Sequence, residues 1–299
     1  MSALLVEQRC GTVAIIGRPN VGKSTLINHL VGQKLSITSR KPQTTRHRIK
    51  GILTQENAQF VFVDTPGVQI KHANALHRAM NRSVLTTLAD TDVVVMVIEA
   101  LKFTSDDQLV LDRLPAGIEP ILAINKIDRV HPRERLLPFL ADMGSRNRFS
   151  AMVPISAQKE TQLAPLLGEI RLQLPVAEWM YEEDDVTDAN ERFFAAEFIR
   201  EQLFRLLGDE LPYAVTVSIE SFAIEGTMRR IQAVILVDQD NQKPIVIGRD
   251  GEKLKEIGQR ARIDLEKLFG SKVFLELWVK VKGGWADDER VLKSLGHEF

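Results

Sequence analysis

The sequence predicts an α/β protein in two parts: a mostly parallel sheet flanked by helices, then a smaller α+β domain. Three observations carry this. From Thr12 to about Leu174, short β-branched runs alternate with amphipathic helical patterns. Those runs are nearly continuous in apolar residues, as strands covered on both faces are. At Pro175 the alternation stops. A length of 299 residues suits two domains better than one, and a 44% hydrophobic share supplies their cores.

In chain order, strands are predicted at 12–16, 60–63, 93–98, 121–124 and 152–154. Helices among them fall at 23–31, 75–88, 106–114 and 133–142. In such sheets ligands bind beyond the carboxyl ends of the strands, so the loops there are searched for chemistry. This first domain is placed at 1–175. Residues 176–190 hold Glu182, Glu183, Asp184, Asp185 and Asp188 with little to bury, and read as a solvated acidic linker. The second domain, 191–299, opens with a helix to about 207. Strands at 213–220 and 228–237, a loop bounded by Gly248 and Gly251, a helix to about 269 and a strand at 273–281 follow.

Charge and cysteine content narrow the classes. The formal net charge is -1, and residues 191–299 hold 17 Lys+Arg against 19 Asp+Glu, a net of -2. Nucleic-acid binding, if present, must therefore rest on a local patch rather than on bulk charge. Cys10, the single cysteine, has no partner for an internal disulfide and reads as a small residue leading into the first strand. The first residues lack the basic start and apolar run of a signal peptide, and no apolar stretch is long enough to span a bilayer. The expectation is a cytoplasmic protein.

Gly17, Arg18, Pro19, Asn20, Val21, Gly22, Lys23 and Ser24 fit the phosphate-loop pattern between a strand and a helix, with Thr25 next in line. The glycines let backbone N–H groups wrap phosphates, and the helix start adds its positive dipole end. Lys23 is read as the cation at the β- and γ-phosphates and Ser24 as a Mg2+ ligand. Asp64, Thr65, Pro66 and Gly67 follow a buried strand directly. There a carboxylate reaches Mg2+ through water and the Gly67 N–H senses the γ-phosphate. Between these motifs, Thr45 is the expected Mg2+ ligand of a mobile loop, with Thr44 as the alternative. Lys23, Thr45 and Gly67 form the expected catalytic set.

The base is decided by Asn125, Lys126 and Asp128 at the end of strand 121–124. An Asp128 carboxylate accepts from guanine N1–H and from its exocyclic amine, a donor pair that adenine lacks. A buried site needing both bonds discriminates by roughly 10⁴. Ser156 and Ala157, after strand 152–154, are placed to support the base. The expected ligands are GTP and GDP, and a P-loop ATPase or kinase is disfavoured.

Taken together, these motifs and the tail Leu277, Trp278, Val279, Lys280, Val281, Lys282, Gly283, Gly284, Trp285, Ala286, Asp287, Asp288, Glu289 resemble the Era family of bacterial ribosome-assembly GTPases over nearly the whole chain. The resemblance implies a P-loop GTPase domain followed by a KH-type RNA-binding domain. It also implies binding to the 3′ end of small-subunit ribosomal RNA, a role in small-subunit assembly and loose association with the inner membrane. A monomer is expected. Val68 stands where Ras-like switches carry a water-orienting glutamine, so hydrolysis is expected to be slow without assistance. Relatives with this feature and an asparagine placed like Asn20 resemble potassium-activated GTPases. Asn20 reads equally as a turn residue beside Pro19.

For the RNA, a Gly-x-x-Gly loop between helices lets a nucleic-acid backbone approach the peptide closely. The expected contacts are Gly248, Arg249, Asp250, Gly251, Lys253 and Lys255, with Lys280 and Lys282 sharing a strand face with Trp278. Asp250 is an unfavourable neighbour for phosphates. Trp285 reads as a hydrophobic plug or a stacking platform. The alternative to a GTPase switch is an RNA-binding assembly factor that holds GTP as a ligand and rarely turns it over.

Overall fold

The computed structural model describes residues 7–39, 41, 44–66, 74–208 and 210–297. In chain order the elements up to residue 188 are β1 (Arg9–Ile16), α1 (Lys23–Val31), β2 (Ile49–Gln55), β3 (Ala58–Asp64), α2 (Ala75–Ala89), β4 (Val93–Glu99), α3 (Ser105–Asp112), β5 (Ile121–Asn125), α4 (Leu136–Ser145), β6 (Ala151–Pro154) and α5 (Leu163–Gln173). The six strands form one sheet in the order β2-β3-β1-β4-β5-β6. All neighbours are parallel except β2 and β3.

The period of two along each strand sorts the apolar residues onto two faces. Val13, Ile15, Phe60, Phe62, Val95 and Val97 pack with Leu26, Ile27 and Leu30 of α1 and with Leu166 and Ile170 of α5. Ala14, Ile16, Val94, Met96, Leu122 and Ile124 pack with Val84 and Leu88 of α2, Val110 and Leu111 of α3 and Met143 of α4. With both faces covered, almost no polar residue intrudes, which is why the strands read as continuous apolar runs.

Two local expectations shift. The strand β2 was not expected, because its edge position leaves the segment half polar. The helix expected from 133 begins as a single 3₁₀ turn at Arg133–Arg135, and the α-helix starts at Leu136. Thr104 and Asp107 cap α3 reciprocally, so that helix starts at Ser105.

Residues 176–188, read above as a solvated linker, are tied along this unit. The buried Gln59 side chain accepts from the N–H groups of Met180 (2.9 Å) and Tyr181 (3.0 Å) and donates to the Tyr181 carbonyl (2.9 Å). The Ile52 N–H donates to Val186 O at 2.9 Å, and Lys50 pairs with Asp188 at 2.7 Å. The acidic side chains face water while the Val186 carbonyl and the Thr187 hydroxyl bond the open edge of β2.

The second unit holds α6 (Glu191–Leu206), β7 (Val215–Glu225), β8 (Met228–Val237), α7 (Gln242–Ile247), α8 (Glu252–Phe269), β9 (Lys272–Val281) and α9 (Glu289–Ser294). Its sheet has the order β7-β8-β9, with β7 and β8 antiparallel and β8 and β9 parallel. Two further stretches cluster with it: residues 37–39, 41 and 44, and residues 74–80. Thr38 donates from its N–H to the buried Glu201 carboxylate at 3.0 Å. Ala75, Leu76 and Met80 share a small core with Trp285, Val291 and Leu292. Trp285 is 1% exposed and its Nε1–H donates to Ala214 O at 3.1 Å, so it is the plug rather than the platform. Two first-turn amides of α2 find partners in the same place: Ala75 N–H on Asp287 Oδ1 (2.9 Å) and Leu76 N–H on Ala286 O (3.0 Å).

Candidate nucleotide site and nucleic-acid cleft

The phosphate loop runs from the end of β1 into α1. Its last residue, Gly22, has φ 107°, and a Cβ there would lie 2.3 Å from Asn125 Nδ2, so no side chain fits. No side chain caps α1, which leaves its first amides aimed at whatever the loop encloses. Lys23 is 7% exposed and folds back to donate to Gly17 O (2.8 Å) and Arg18 O (3.0 Å). Burial pulls its pKa down to about 8, against the opposing pull of Asp64. Arg18 reaches away from the loop to the fully buried Asp107 at 3.1 Å. Asn20 has φ 64°, a left-handed conformation that Asn tolerates better than most residues, so its turn role has a direct backbone cause.

Ser24 Oγ, Thr45 Oγ1 and Asp64 converge. Ser24 Oγ lies 3.0 Å from Thr45 Oγ1 and donates to Asp64 Oδ2 at 2.8 Å, and Thr45 Oγ1 is 3.3 Å from the same oxygen. Thr44 Oγ1 points elsewhere, bonding Lys41 O at 2.8 Å and Ser39 Oγ at 2.9 Å. Asp64 is fully buried, which pushes its pKa up, while Lys23 and the Ser24 hydroxyl pull it back. Its Oδ1 is buried without a hydrogen-bond partner. An orphaned carboxylate oxygen beside two hydroxyls is an all-oxygen donor set of the kind Mg2+ takes. Thr65 serves the scaffold, its hydroxyl donating to Ile15 O at 3.0 Å. Gly67 and Val68 lie outside the described residues.

The base loop leaves β5. Asn125 Nδ2 donates to Val21 O (2.8 Å) and Asn125 Oδ1 accepts from the Lys126 N–H (2.7 Å) and Ala157 N–H (2.9 Å). Asp128 Oδ1 accepts from Ser156 Oγ at 2.6 Å. In this structure, then, Ser156 orients the carboxylate and Ala157 orients Asn125. These two internal contacts join residues far apart in the chain, so the dipeptide alone carries no sign of them.

In the second unit, α7 ends at a loop in which Gly248 has φ 76°, and a Cβ there would sit 2.6 Å from Lys253 Cβ. Beyond it lies a cleft of about 780 Å3 between α8 and the edge strand β9, lined in part by Gly251, Leu254, Lys255, Gln259, Arg262 and Leu277. Gly251, just before α8, and residues 255, 258 and 262 within it recur at helical spacing on one face, a spacing present in the sequence. Gly258 allows the close approach, since a Cβ there would meet Leu277 Cδ1 at 3.3 Å. Of the expected contacts, Gly251 and Lys255 line the cleft. Arg249 and Asp250 stand exposed at its loop, 3.6 Å apart. Lys253 packs against Gly248. Lys280 and Lys282 are not brought to the cleft: Lys280 pairs with Glu220 at 2.7 Å across the sheet, and Lys282 is exposed past the end of β9. By the period of two, Lys280 lies on the face of β9 opposite Leu277, which meets Gly258 of α8.

A family model described as a 50S ribosome-binding GTPase matches residues 12–126, and a KH domain model matches 210–286. GTPase Era of Nitrosomonas eutropha is 53% identical over 290 residues, covering 97% of this chain and 98% of that one. The chain belongs to the Era family of GTPases. GTPase Era of Chromobacterium violaceum is likewise 53% identical, over 96% of this chain and 97% of its own. Among solved structures, an Aquifex aeolicus Era variant bound to GDP·AlF4- superimposes with a TM-score of 0.94, at 37% identity, over 98% of this chain and 100% of that one. An Era structure in complex with MgGDPNP and nucleotides 1506-1542 of 16S ribosomal RNA gives the same TM-score, at 38% identity, with 98% and 100% covered. As an Era-family protein the chain is a GTP-hydrolysing P-loop enzyme with a C-terminal KH domain. Among its described residues, no helix is long and apolar enough to cross a membrane.

Proposed function

We propose that this GTPase binds the 3′ region of small-subunit ribosomal RNA in the cleft between α8 and β9, and acts in small-subunit assembly. The observation that carries the reading is the cleft itself: a glycine-bounded loop at one end, Lys255 and Arg262 on one wall, and the free edge of β9 on the other. That geometry suits a single strand approaching the backbone closely, and a 38% identical Era holds 16S nucleotides. Bound nucleotide and bound RNA are reciprocally coupled in this reading. Its support is that residues 37–39, 41, 44 and 74–80, which flank Thr45 and follow the Asp64 motif, pack within the second unit. Ser24 and Thr45 would hold Mg2+, with Asp64 reaching it through water. The ion, when bound, offsets charge on the β- and γ-phosphates, while Lys23 neutralises the same oxygens and Asp128 fixes the base. The cellular setting proposed is a cytoplasmic monomer, and its peripheral membrane contact rests on the family resemblance.

Gly251→Asp tests the cleft. Gly248 is a poor site for the test because any side chain there collides with Lys253. Gly251 has φ 81° with open space around it, a conformation Asp and Asn both tolerate. Binding of a labelled RNA spanning the 3′ end of 16S RNA should fall at least tenfold, about 1.4 kcal/mol, more for Asp than for the uncharged Gly251→Asn. GTP binding should be intact. Normal RNA affinity in a folded Gly251→Asp protein would refute the cleft assignment. Multiple-turnover hydrolysis with and without RNA then separates the coupled switch from a factor that merely holds GTP.

Potassium activation belongs to the same proposal. Hydrolysis should be faster in potassium than in sodium at equal ionic strength. Asn20→Gly keeps the left-handed turn while removing the side-chain oxygen, and should abolish the difference. Equal wild-type rates in both salts would leave Asn20 with its turn role only.

A further inference from the structure

Glu99 closes β4 and belongs to none of the nucleotide motifs. It sits in register beside Asn125 of β5, and the next amide, Ala100 N–H, donates to Asn125 O at 2.8 Å. Its side chain is 18% exposed and is ringed by three cations: Lys126 Nζ at 2.7 Å, Lys102 Nζ at 2.5 Å and Arg18 Nη2 at 4.0 Å. Burial alone would raise its pKa. The hydrogen bonds from Lys102 and Lys126 outweigh that and hold it down to about 2, so it is a carboxylate at any working pH.

What those cations hold is the point. Lys126 Nζ bonds Glu99 on one side and the Asn20 carbonyl, inside the phosphate loop, on the other at 2.8 Å. Arg18 is anchored by its Nε on both oxygens of Asp107, at 3.1 and 3.2 Å, and Asp107 is itself locked into the cap of α3. Lys126 therefore bridges the loop that takes the base and the loop that takes the phosphates, and Glu99 fixes the bridge to the rigid end of β4. Charge balance points the same way. Three cations gathered without a carboxylate would repel one another, and Lys126, on the base loop, is the one whose displacement would separate the two halves of the site.

We propose that Glu99 is a positioning residue for guanine nucleotides, acting through Lys126 to set the spacing between the base loop and the phosphate loop. The proposal deepens the GTP-binding reading and rests on it. It makes a prediction that simple electrostatics does not. Removing a negative charge near the phosphate loop should by itself strengthen binding of any polyanion. Loss of spacing should weaken only ligands that span both loops.

The test compares GTP, GDP and inorganic triphosphate on full-length wild type, Glu99→Gln, Glu99→Asp and Lys102→Ala, with kcat at saturating GTP. For Glu99→Gln, GTP and GDP affinity should fall about tenfold, while triphosphate affinity holds or rises and kcat stays within twofold. Glu99→Asp should recover most of the loss. Lys102→Ala, which removes only the outer cation, should stay within twofold of wild type. Wild-type GTP affinity in Glu99→Gln overturns the proposal. So does an equal loss for GTP and triphosphate, which would mean a generally loosened phosphate loop. Failure of the wild-type protein to prefer GTP over triphosphate would instead strike the guanine-site reading beneath it.

Discussion

Asp128→Asn is expected to convert the guanine site into a xanthine site. On the proposed assignment, guanine would present two donors to this carboxylate, N1–H and the exocyclic amine, and the 2.6 Å bond from Ser156 Oγ holds the Asp128 carboxylate in place. An amide in its place keeps one acceptor oxygen, which Ser156 can still engage, and turns an NH2 toward the amine it formerly bound. Two charge-assisted bonds are lost and a donor faces a donor, costing on the order of 3 kcal/mol or more. That is at least about a hundredfold in GTP affinity. Xanthosine triphosphate carries an oxygen where guanine carries the amine, so the same NH2 donates to it. Displacement of a labelled guanine nucleotide by GTP and by xanthosine triphosphate should show the order of preference reversed. A folded variant with wild-type affinity and base preference would remove Asp128 from the base site.

The largest effect on stability is expected at Trp285. Its ring is buried among Ala75, Leu76, Met80, Val291 and Leu292, and its indole N–H satisfies Ala214 O. Trp285→Ala should cost about 3–5 kcal/mol through lost transfer energy and the cavity left behind. About 1 kcal/mol more follows if the Ala214 carbonyl stays unpaired. Unfolding in a protein of two units need not be two-state, so the informative measurement is hydrogen exchange resolved by segment. Exchange should rise first at residues 74–80 and 285–296, including the Ala75 and Leu76 amides bonded to Asp287 and Ala286. Trp285→Phe should lose much less, since it retains most of the buried area and gives up only the N–H bond. An exchange pattern and unfolding midpoint unchanged in Trp285→Ala would show that this small core does not hold the first turn of α2.

Several features were readable because their cause is local in the chain. The parallel sheet follows from apolar strands that need covering on both faces, and α1 (Lys23–Val31) and β8 (Met228–Val237) have the bounds that their spacing predicts. The nucleotide motifs were legible for a related reason. The phosphate-loop pattern, a carboxylate closing a buried strand and the Asn125–Asp128 turn are each made of residues contiguous in sequence, at strand ends that the sheet brings to one side.

What only the tertiary structure decided concerns partners far apart in the chain. Thr44 and Thr45 are equivalent by spacing, and only the fold brings the Thr45 hydroxyl to Ser24 and Asp64 while Thr44 turns to Ser39 and Lys41. Lys280 alternates correctly with Trp278, yet its face of β9 turns away from the cleft, where it meets Glu220. The acidic stretch 176–188 looks solvated by composition, but Gln59 and the edge of β2 claim its backbone. Composition reports what a side chain prefers and is silent on which unpaired backbone group lies nearby. Trp285 and Glu99 are the sharpest cases. Their surroundings come from distant parts of the chain: residues 75, 76, 80 and 214 around one, residues 18 and 126 beside the other. The sequence by itself determined the two folds and set the nucleotide motifs at the strand ends. The pairing of buried polar and apolar groups across the chain determined which distant residues pack around those motifs.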